Sequence, residues 1–377
     1  MILFVTQFLP DPNGAGNTGG TISNINMLRT LAQKHAVKVL AFDSKVSQDS
    51  FVDEPFQVVL RPAPAWRAPG LFRNWLDFVR AETNAAFCVD PTPDVLIATT
   101  STLAAFDVCP PGTTRIALVR AYENFGLGCR WVPVRQKFKL GKQAAVRRFQ
   151  DGRLIRSADA VVTNSQFMKR AISERFGIDV AHIYVFLQAC GVDAAKDAAP
   201  EGTIGFVTRG PEKGLSFVLD LASRSPDLRY FIYGHEGGRP NVLPSNVDWR
   251  GWASDRNAMF ASAKLWLVPS RWAEPFGRVS IEAQGSNRAV LVASTGGLQE
   301  TVQNPLFCIN GFDPDLWLGR IRSLLQLAPD AIQNNGMQIR ERFSSAAHDA
   351  RLLSVMEDVL SESGNKTHAL TNSRHAR

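Results

Sequence analysis

The sequence predicts an α/β protein made of two doubly wound domains. Short apolar runs, such as those at 2–6 and 265–268, have the length and composition of buried strands. Each run is followed, after a loop, by a segment with helical periodicity, and strands that alternate with helices favour parallel sheets. At 377 residues the chain is long for one domain. Small and polar residues at 194–202 mark the expected linker.

Composition and charge narrow the class of protein. Hydrophobic residues make up 45% of the chain, as in soluble globular proteins, and no apolar run approaches the roughly 18 residues of a membrane span. The apolar N-terminus lacks a basic flank and indicates a first strand, not a signal peptide. Five scattered cysteines without a Cys-x-x-Cys pair indicate reduced thiols, and we expect a cytoplasmic location. The net charge of +7 permits an anionic partner such as a nucleotide, a lipid surface or a nucleic acid.

The first domain begins with a β-α-β pattern. The first strand is expected at 2–6, the first helix at 21–33 and the second strand at 37–42. The loop before this helix contains Gly14-x-Gly16-x-x-Gly19, formally a dinucleotide fingerprint. Several residues, two of them prolines, separate the strand from the first glycine, whereas a dinucleotide fold places that glycine directly after the strand. We discount the match, although an NAD-dependent oxidoreductase that uses this loop stays open as an alternative.

Further strands and the domain limits follow from the same patterns. Strands of the first domain are also expected at 58–60, 94–100, 115–119 and 158–163, and Ser165 is the expected cap of the next helix. The predicted domains are residues 1–193 and 203–345. A final amphipathic helix at 346–360 is expected to pack back on the first domain, and 361–377 is expected to be a disordered polar tail.

The most informative stretch follows the apolar strand of the second domain. The string Glu-Pro-Phe-Gly at 274–277 leads into a helix that carries Glu282. Pro275 suits a first helical turn, and Gly277 allows the backbone to approach a ligand closely. The free N–H groups of this helix N-terminus favour an anionic or polar ligand. The two carboxylates can reach different parts of one ligand; the alternative is that Glu274 caps the helix and Glu282 is a solvated helix residue.

The string Glu-Pro-Phe-Gly-x4-Glu resembles the signature of the family-4 retaining glycosyltransferases, which have the GT-B fold. The resemblance extends over nearly the whole chain and implies two Rossmann-like domains that face each other across a cleft. It implies that Glu274, with the backbone of Phe276 and Gly277, holds hydroxyl groups of the donor sugar. It also implies that Glu282 accepts hydrogen bonds from the ribose of the nucleotide.

The same resemblance assigns further positions to the donor. Arg209 and Lys213, at the end of the first strand of the second domain, resemble the family's phosphate clamp; two fixed cations suit a departing nucleoside diphosphate. The alternative is that both are ordinary surface residues. The other donor-side positions are four glycines and one aromatic residue: Gly19, Gly20, Gly296, Gly297 and Trp252. The first two glycines would face the diphosphate and the indole would stack on the nucleobase; the alternatives are a flexible loop and a core aromatic.

The acceptor side departs from the family pattern. Many family members carry a His close to the reacting sugar, and this chain has Arg120-Ala-Tyr122-Glu123 near that place. One of Arg120, Tyr122 and Glu123 is expected to occupy that position, and the sequence leaves open which one. The alternative is that Tyr122 and Glu123 are loop structure. The segment Gly191-Val-Asp193 resembles the family's inter-domain loop, with Cys190 where Asn is usual.

The resemblance implies a retaining glycosyltransferase that moves a sugar from a nucleotide-sugar donor to a hydroxyl acceptor. We expect a lipid-linked saccharide or oligosaccharide as the acceptor, in the synthesis of surface polysaccharide. The two clamp cations and helix termini meet the donor charge, so neither a metal nor another cofactor is expected. Asp313-Pro-Asp315 looks like a metal-binding pair, but Asp313 is the expected cap of a helix with Pro314 in its first turn. A GT-B epimerase and a basic nucleic-acid-binding protein are kept as alternatives, although we expect no nucleic acid as a partner.

Basic and aromatic residues of the first domain suggest a membrane contact. Trp66, Phe72, Trp75 and Phe78 are interleaved with arginines, and nine basic residues lie between 130 and 156. Such a surface suits the interface of an anionic membrane, so we expect peripheral binding at the inner face. The alternative is a solvated basic face with its aromatic residues in the core.

Overall fold

The chain folds into two mainly parallel sheets, as the alternation of strands and helices predicts. The computed structural model describes residues 1–7, 19–43, 50–53, 55–64, 72–89, 91–120, 152–184, 187, 199–208, 210–253 and 255–374. Within these residues the sheets have eight and six strands. Sequentially distant strands lie side by side in both, which requires the crossover connections of a doubly wound fold.

The first sheet has the strand order β3-β4-β2-β1-β5-β6-β7-β8. Its strands are β1 (Ile2–Thr6), β2 (Val37–Asp43), β3 (Ser50–Asp53), β4 (Gln57–Pro62), β5 (Val95–Thr99), β6 (Thr114–Val119), β7 (Ala160–Thr163) and β8 (Ala181–His182). Only the pairing of β3 with β4 is antiparallel among the described strands. The helices that accompany this sheet are α1 (Gly19–Ala32), α2 (Phe72–Val89) and α3 (Gln166–Phe176). The first sheet with these helices is called the first unit.

The second sheet has the strand order β11-β10-β9-β12-β13-β14, and all its described pairs are parallel. Its strands are β9 (Thr203–Val207), β10 (Arg229–Tyr233), β11 (Val247–Trp249), β12 (Leu265–Val268), β13 (Ala289–Ala293) and β14 (Cys308–Ile309). The helices that follow are α4 (Leu215–Arg224), α5 (Arg256–Ala261), α6 (Arg278–Gly285), α7 (Pro314–Leu325), α8 (Pro329–Arg342) and α9 (Ser345–Arg374).

The central strands show why short apolar runs specify this fold. All residues of β1 are buried, and Phe4 pairs with Val39 on one side and with Ile97 on the other. A strand covered on both faces needs apolar side chains at every position, because water reaches neither face. The fully buried β12 meets the same demand between β9 and β13 in the second sheet.

Helix α2 carries its central aromatic residues into the core. Trp75 is fully buried, packs edge-to-face on Phe42 at a centroid distance of 5.8 Å, and donates its indole N–H to the Ser101 carbonyl at 2.7 Å. Phe78 is partly buried and lies 5.2 Å from the same Phe42 ring. The prediction that Trp75 belongs to a membrane-facing surface is wrong, because this face of the helix covers the sheet. Trp66 and the side chain of Phe72 lie outside the described residues.

The last helix, α9, returns to the first sheet. Leu352, Val355 and Met356 are buried in the core that surrounds β1 and α1. Asp349 accepts a hydrogen bond of 2.7 Å from the Thr30 hydroxyl on α1. The helix continues to Arg374, where we expected a disordered tail from residue 361. No proline interrupts the segment, so backbone hydrogen bonding extends beyond the packed turns.

Candidate active site

Two loops that follow β12 and β13 meet at the carboxyl edge of the second sheet. The Gly297 N–H donates to the Glu274 carbonyl at 2.7 Å. A Cβ atom on Gly296 would lie 2.4 Å from that carbonyl oxygen, and one on Gly297 would lie 2.5 Å from the Pro275 carbonyl oxygen. The Gly-Gly turn therefore lets one loop pack directly on the backbone of the other. Gly277, with φ +114, ends this contact and starts α6.

Gly296→Ala and Gly311→Ala together distinguish the cost of close packing from the cost of backbone strain. Both residues have positive φ, +57 and +83, but a Cβ on Gly311 would have no atom within 4 Å. Each alanine costs about 1 kcal/mol through the left-handed conformation. Overpacking adds roughly 1–3 kcal/mol at Gly296 alone. Urea unfolding of both variants measures the difference, and equal losses of unfolding free energy would contradict the packing argument.

A lysine and a buried carboxylate meet beside this turn. The Lys213 ammonium lies 2.8 Å from Oε1 of Glu274, which is only 7% exposed. The Ser270 hydroxyl donates to the same carboxylate oxygen. Lys213 ends a 3₁₀ turn, and the next residue, Gly214, has φ +90 and no room for a Cβ beside the Pro269 carbonyl. The two residues assigned to the diphosphate and the sugar thus lie in direct contact, whereas Arg209 lies outside the described residues.

The second carboxylate of the motif is buried on α6. Glu282 is 2% exposed, and its Oε1 lies 3.0 Å from the Arg278 guanidinium. Arg256 forms an ion pair with its other oxygen. Glu274 does not cap the helix, because Gly277 holds the cap position without a side-chain hydrogen bond. The alternative of a capping Glu274 and a solvated Glu282 is therefore wrong.

The aromatic residues near the site occupy two different environments. Phe276 is buried in a cluster with Leu187, Ile281, Ile339 and Phe343, so only its backbone is left for a ligand. Trp252 is 38% exposed and stacks on His235, with ring centroids 5.3 Å apart and planes 9° from parallel. The alternative of Trp252 as a core aromatic is wrong, and its stacking on a nucleobase stays a prediction.

The first unit approaches α6 through α1, which begins at the predicted glycines Gly19 and Gly20. The Arg278 guanidinium donates to the Ser23 hydroxyl at 3.0 Å, which joins α6 to the first turns of α1. Arg120, directly after β6, donates to the Asn24 side chain at 2.7 Å. Of the three acceptor-side candidates, only Arg120 is described; Tyr122 and Glu123 lie outside the described residues, as do Cys190, Gly191 and Asp193.

Glu300 is a site residue that the sequence analysis missed. Its two carboxylate oxygens accept hydrogen bonds from the first N–H groups of α3, Gln166 at 2.8 Å and Phe167 at 2.6 Å. Tyr184 donates to the same group at 3.0 Å, and burial, followed by the charge of Glu300, raises the pKa of Tyr184 to about 12. The capping hydroxyl of Ser165 donates to the Pro275 carbonyl at 2.5 Å. Together these bonds fix both donor-side loops to the first unit.

Replacing Glu300 with glutamine tests this connection. The amide keeps the shape but turns one NH₂ group toward a backbone N–H, so that donor loses its acceptor. We expect the rate of sugar transfer to fall by about tenfold, which corresponds to about 1.4 kcal/mol. Glu201→Gln is the control, because Glu201 forms an ion pair with Lys264 before β9 and β12 begin, whereas these loops follow the opposite ends of the strands. Equal rates for the two variants would contradict a positioning role for Glu300.

The Asp-x-Asp segment caps a helix. Asp313 is the N-cap of α7 and accepts a hydrogen bond from the Asp315 backbone N–H at 2.9 Å, with Pro314 in the first turn. The capping prediction is confirmed. Among the described residues no group of three or more His, Cys, Asp or Glu side chains is placed to hold a metal ion. No helix in the described part of the chain combines the length and apolarity of a bilayer span.

Comparison with known families decides the class of the protein. Residues 24–186 match the model of the "Glycosyl transferase 4-like domain", and residues 201–327 match that of "Glycosyl transferases group 1". The chain belongs to this glycosyltransferase family. The suspected resemblance to the family-4 enzymes is confirmed.

Curated relatives match this chain over part of its length. A D-inositol 3-phosphate glycosyltransferase of Corynebacterium kroppenstedtii is 26% identical over 257 residues, 57% of this chain and 56% of the relative. One from a Mycobacterium species is 27% identical over 229 residues, 53% of this chain and 52% of the relative. The match thus spans little more than half the length of these relatives.

Solved structures show the fold. Sucrose-phosphate synthase from Thermosynechococcus elongatus superposes with a TM-score of 0.69 at 16% identity, covering 99% of this chain and 100% of that one. Anabaena HepE in complex with UDP and glucose gives a TM-score of 0.69 at 17% identity, covering 94% and 99%. The family member therefore has the GT-B fold, and its two sheets belong to the two Rossmann-like units.

Proposed function

We propose that the chain is a retaining glycosyltransferase that moves a sugar from a nucleotide-sugar donor to a hydroxyl group of an acceptor. The observation that carries the proposal is the contact of the Lys213 ammonium with buried Glu274, 2.8 Å apart, beside the turn that starts α6. A cation, a carboxylate and the N-terminus of a helix at one edge suit the diphosphate and the hydroxyl groups of such a donor.

The roles follow from where charge develops. As the bond from the anomeric carbon to the diphosphate breaks, its electron pair passes to the leaving phosphate, and Lys213 with the α6 N-terminus stabilises this charge. The acceptor hydroxyl forms the new bond to the anomeric carbon on the same face and gives its proton to the leaving phosphate. Glu274 accepts hydrogen bonds from the donor sugar. Arg209 is the proposed second cation of the clamp.

The nucleotide half of the donor is assigned to Glu282 on α6 and to Trp252 in the loop after β11. Glu282 is held by two arginines, but a carboxylate has about four lone-pair sites and retains acceptors for ribose hydroxyl groups. Trp252, stacked on His235, offers an aromatic face to the base. Solved relatives with nucleotides support this half of the proposal, since HepE was crystallised with UDP and starch synthase IV of Arabidopsis thaliana with ADP.

We further propose a lipid-linked saccharide as acceptor and a peripheral contact with an anionic membrane. The positive net charge and the exposed side chain of Arg153 support this contact, while the basic residues at 130–151 lie outside the described part. Sedimentation with liposomes tests the membrane contact. Binding is expected to require anionic lipid and to weaken as the salt concentration rises.

Thermal shift with UDP, GDP, ADP, dTDP and NAD tests the donor class. Stabilisation by one of the nucleoside diphosphates is expected, because a ligand that binds only the folded state raises its stability. Stabilisation by NAD alone would favour the oxidoreductase. Product analysis separates a transferase from an epimerase, which returns a changed nucleotide sugar without using an acceptor. Turnover is expected to survive EDTA, and a loss restored by Mg²⁺ would contradict a metal-free clamp.

A further inference from the structure

The donor-side loop that follows β12 carries a tryptophan beside the clamp lysine. The Lys213 ammonium lies over the ring of Trp272, 5.3 Å from the ring centroid. This distance falls within the roughly 6 Å over which the negative face of an aromatic ring attracts a cation. The same ammonium contacts Oε1 of Glu274 at 2.8 Å. The lysine charge therefore has two partners, an aromatic face and a carboxylate.

The turn that carries Lys213 is fixed to this loop through the backbone. The Arg271 N–H donates to the carbonyl of Glu212, the residue before the lysine, at 2.9 Å. A Cβ on Gly214, the residue after it, would clash with the Pro269 carbonyl oxygen. The backbone of Lys213 therefore keeps its place relative to the loop. Its flexible four-carbon stem still has to be oriented before the ammonium occupies one position.

The tryptophan is itself held by the first unit. The side chains of Trp272 and Ala273 pack against the apolar core that surrounds β1 and β5. The preceding Arg271 instead contacts an aromatic ring of the second sheet's core, with its guanidinium 4.9 Å from the Phe312 centroid. Successive side chains of the loop thus bind different parts of the protein. The ring that contacts Lys213 is therefore a fixed surface, because it is packed on a core outside its own sheet.

Donor binding explains why the lysine needs a partner besides Glu274. Ser270 and Lys213 already donate to the same oxygen of this carboxylate. In the proposed function, hydroxyl groups of the donor sugar donate to it as well, so the carboxylate is shared while the leaving phosphate gains charge. The Trp272 ring takes part in none of these hydrogen bonds and attracts the ammonium throughout the reaction.

We propose that Trp272 is a positioning residue whose indole face holds the Lys213 ammonium where the leaving diphosphate gains its charge. The inference rests on the proposed function, which assigns Lys213 to that diphosphate. Trp272 acts through the lysine and needs no contact with either substrate. A less restrained ammonium costs more in the transition state than in the bound donor, because the phosphate charge is largest there. Loss of the ring should therefore lower turnover more than donor affinity.

Urea unfolding of a double-mutant cycle tests whether the ring holds the ammonium. The cycle compares the wild type with Trp272→Leu, Lys213→Met and the variant that carries both changes. Leucine keeps an apolar side chain toward the first unit but has no aromatic face. The contact is lost once either partner is changed, so the double variant should lose less stability than the sum of the two single losses. Additive losses would overturn the proposal.

Replacing the Trp272 indole by fluorinated analogues tests the effect on turnover. Analogues with one, two and three ring fluorines are incorporated at this position alone. Fluorine withdraws electron density from the ring face and changes its size little, so each step weakens the attraction for the ammonium. We expect turnover of UDP-, GDP-, ADP- or dTDP-sugars, whichever the wild type uses, to fall stepwise, by about tenfold with three fluorines. The donor KM should change by less than about twofold.

Phe176→Leu is the matched control. Phe176 is the last residue of α3, at the opposite end from the Ser165 cap, and the Arg156 guanidinium lies 5.5 Å from its ring centroid. The change removes a cation–π contact outside the site and should leave turnover unchanged. Equal turnover across the fluorinated series would overturn the proposal and leave Trp272 a packing role only. Failure of the proposed function is distinct: the wild type would then release no nucleoside diphosphate, whereas the unfolding cycle would still show whether the ring holds the ammonium.

Discussion

Replacing Lys213 with methionine is expected to slow sugar transfer by more than tenfold, because a lost charge-assisted contact to the leaving group costs roughly 2–4 kcal/mol in a closed site. Methionine keeps most of the length of the side chain and removes only the ammonium. The change also leaves Glu274 buried, with Ser270 as its remaining hydrogen-bond donor within the described part of the chain. Some stability is therefore lost with the activity.

A second substitution separates these two effects. In Lys213→Met with Glu274→Gln both charges are absent, so the stability loss should be smaller than the sum of the single losses, while the activity stays low. Lys264→Met is the matched control, because Lys264 pairs with the exposed Glu201 and should change neither rate nor stability appreciably. Thermal unfolding and steady-state rates are the two measurements. Near-normal turnover of Lys213→Met would remove Lys213 from the phosphate clamp.

Glutamine at the two motif carboxylates is expected to affect different kinetic constants. Glu274→Gln should lower turnover by about 10- to 100-fold, equivalent to about 1.4–2.8 kcal/mol, because the proposed contact of Glu274 is to the sugar whose charge changes in the transition state. Glu282→Gln should instead raise the dissociation constant of the nucleoside diphosphate by about tenfold, because its proposed ribose contact would be the same in the ground state and in the transition state.

The structure adds a control for the second carboxylate. Glu282 forms ion pairs with both Arg256 and Arg278. Without its negative charge the two guanidinium groups would repel each other, so Glu282→Gln should also lower the melting temperature. Arg256→Gln, which leaves one of the two ion pairs intact, should lower the melting temperature less. An equal loss of nucleotide affinity in Glu274→Gln and Glu282→Gln, with unchanged turnover in both, would contradict this division of roles.

The order of strands and helices was predictable because each element is specified locally. The β12 run, the glycine at 277 and the cap at Asp313 carry their own signals in apolar composition and turn chemistry. The family motif placed Glu274 and Lys213 in one site although 61 positions separate them. Their direct ion pair was not predictable, because it depends on how two loops end at the sheet edge.

The contacts between the two units could not be predicted from the sequence. Glu300 and the helix it caps are 134 positions apart, and no local pattern marks an acidic residue as the cap of a distant helix. Trp75 was misjudged for a related reason: alternation with arginines suggested a surface, but helical spacing puts Trp75 and Phe78 on one face and the charges on another. The helix after residue 361 was missed because its polar composition resembles that of a disordered tail.

Turnover of nucleotide sugars tests the central claim most directly. The full chain is incubated with UDP-, GDP-, ADP- and dTDP-sugars, together with sugar phosphates and lipid-linked saccharides as acceptors. Released nucleoside diphosphate is measured alongside the sugar joined to the acceptor. The account predicts equal amounts of the two for at least one donor, an anomeric configuration retained in the product, and loss of both signals in Lys213→Met. Binding of a nucleotide sugar with no transfer to any acceptor and no release of nucleoside diphosphate would contradict it.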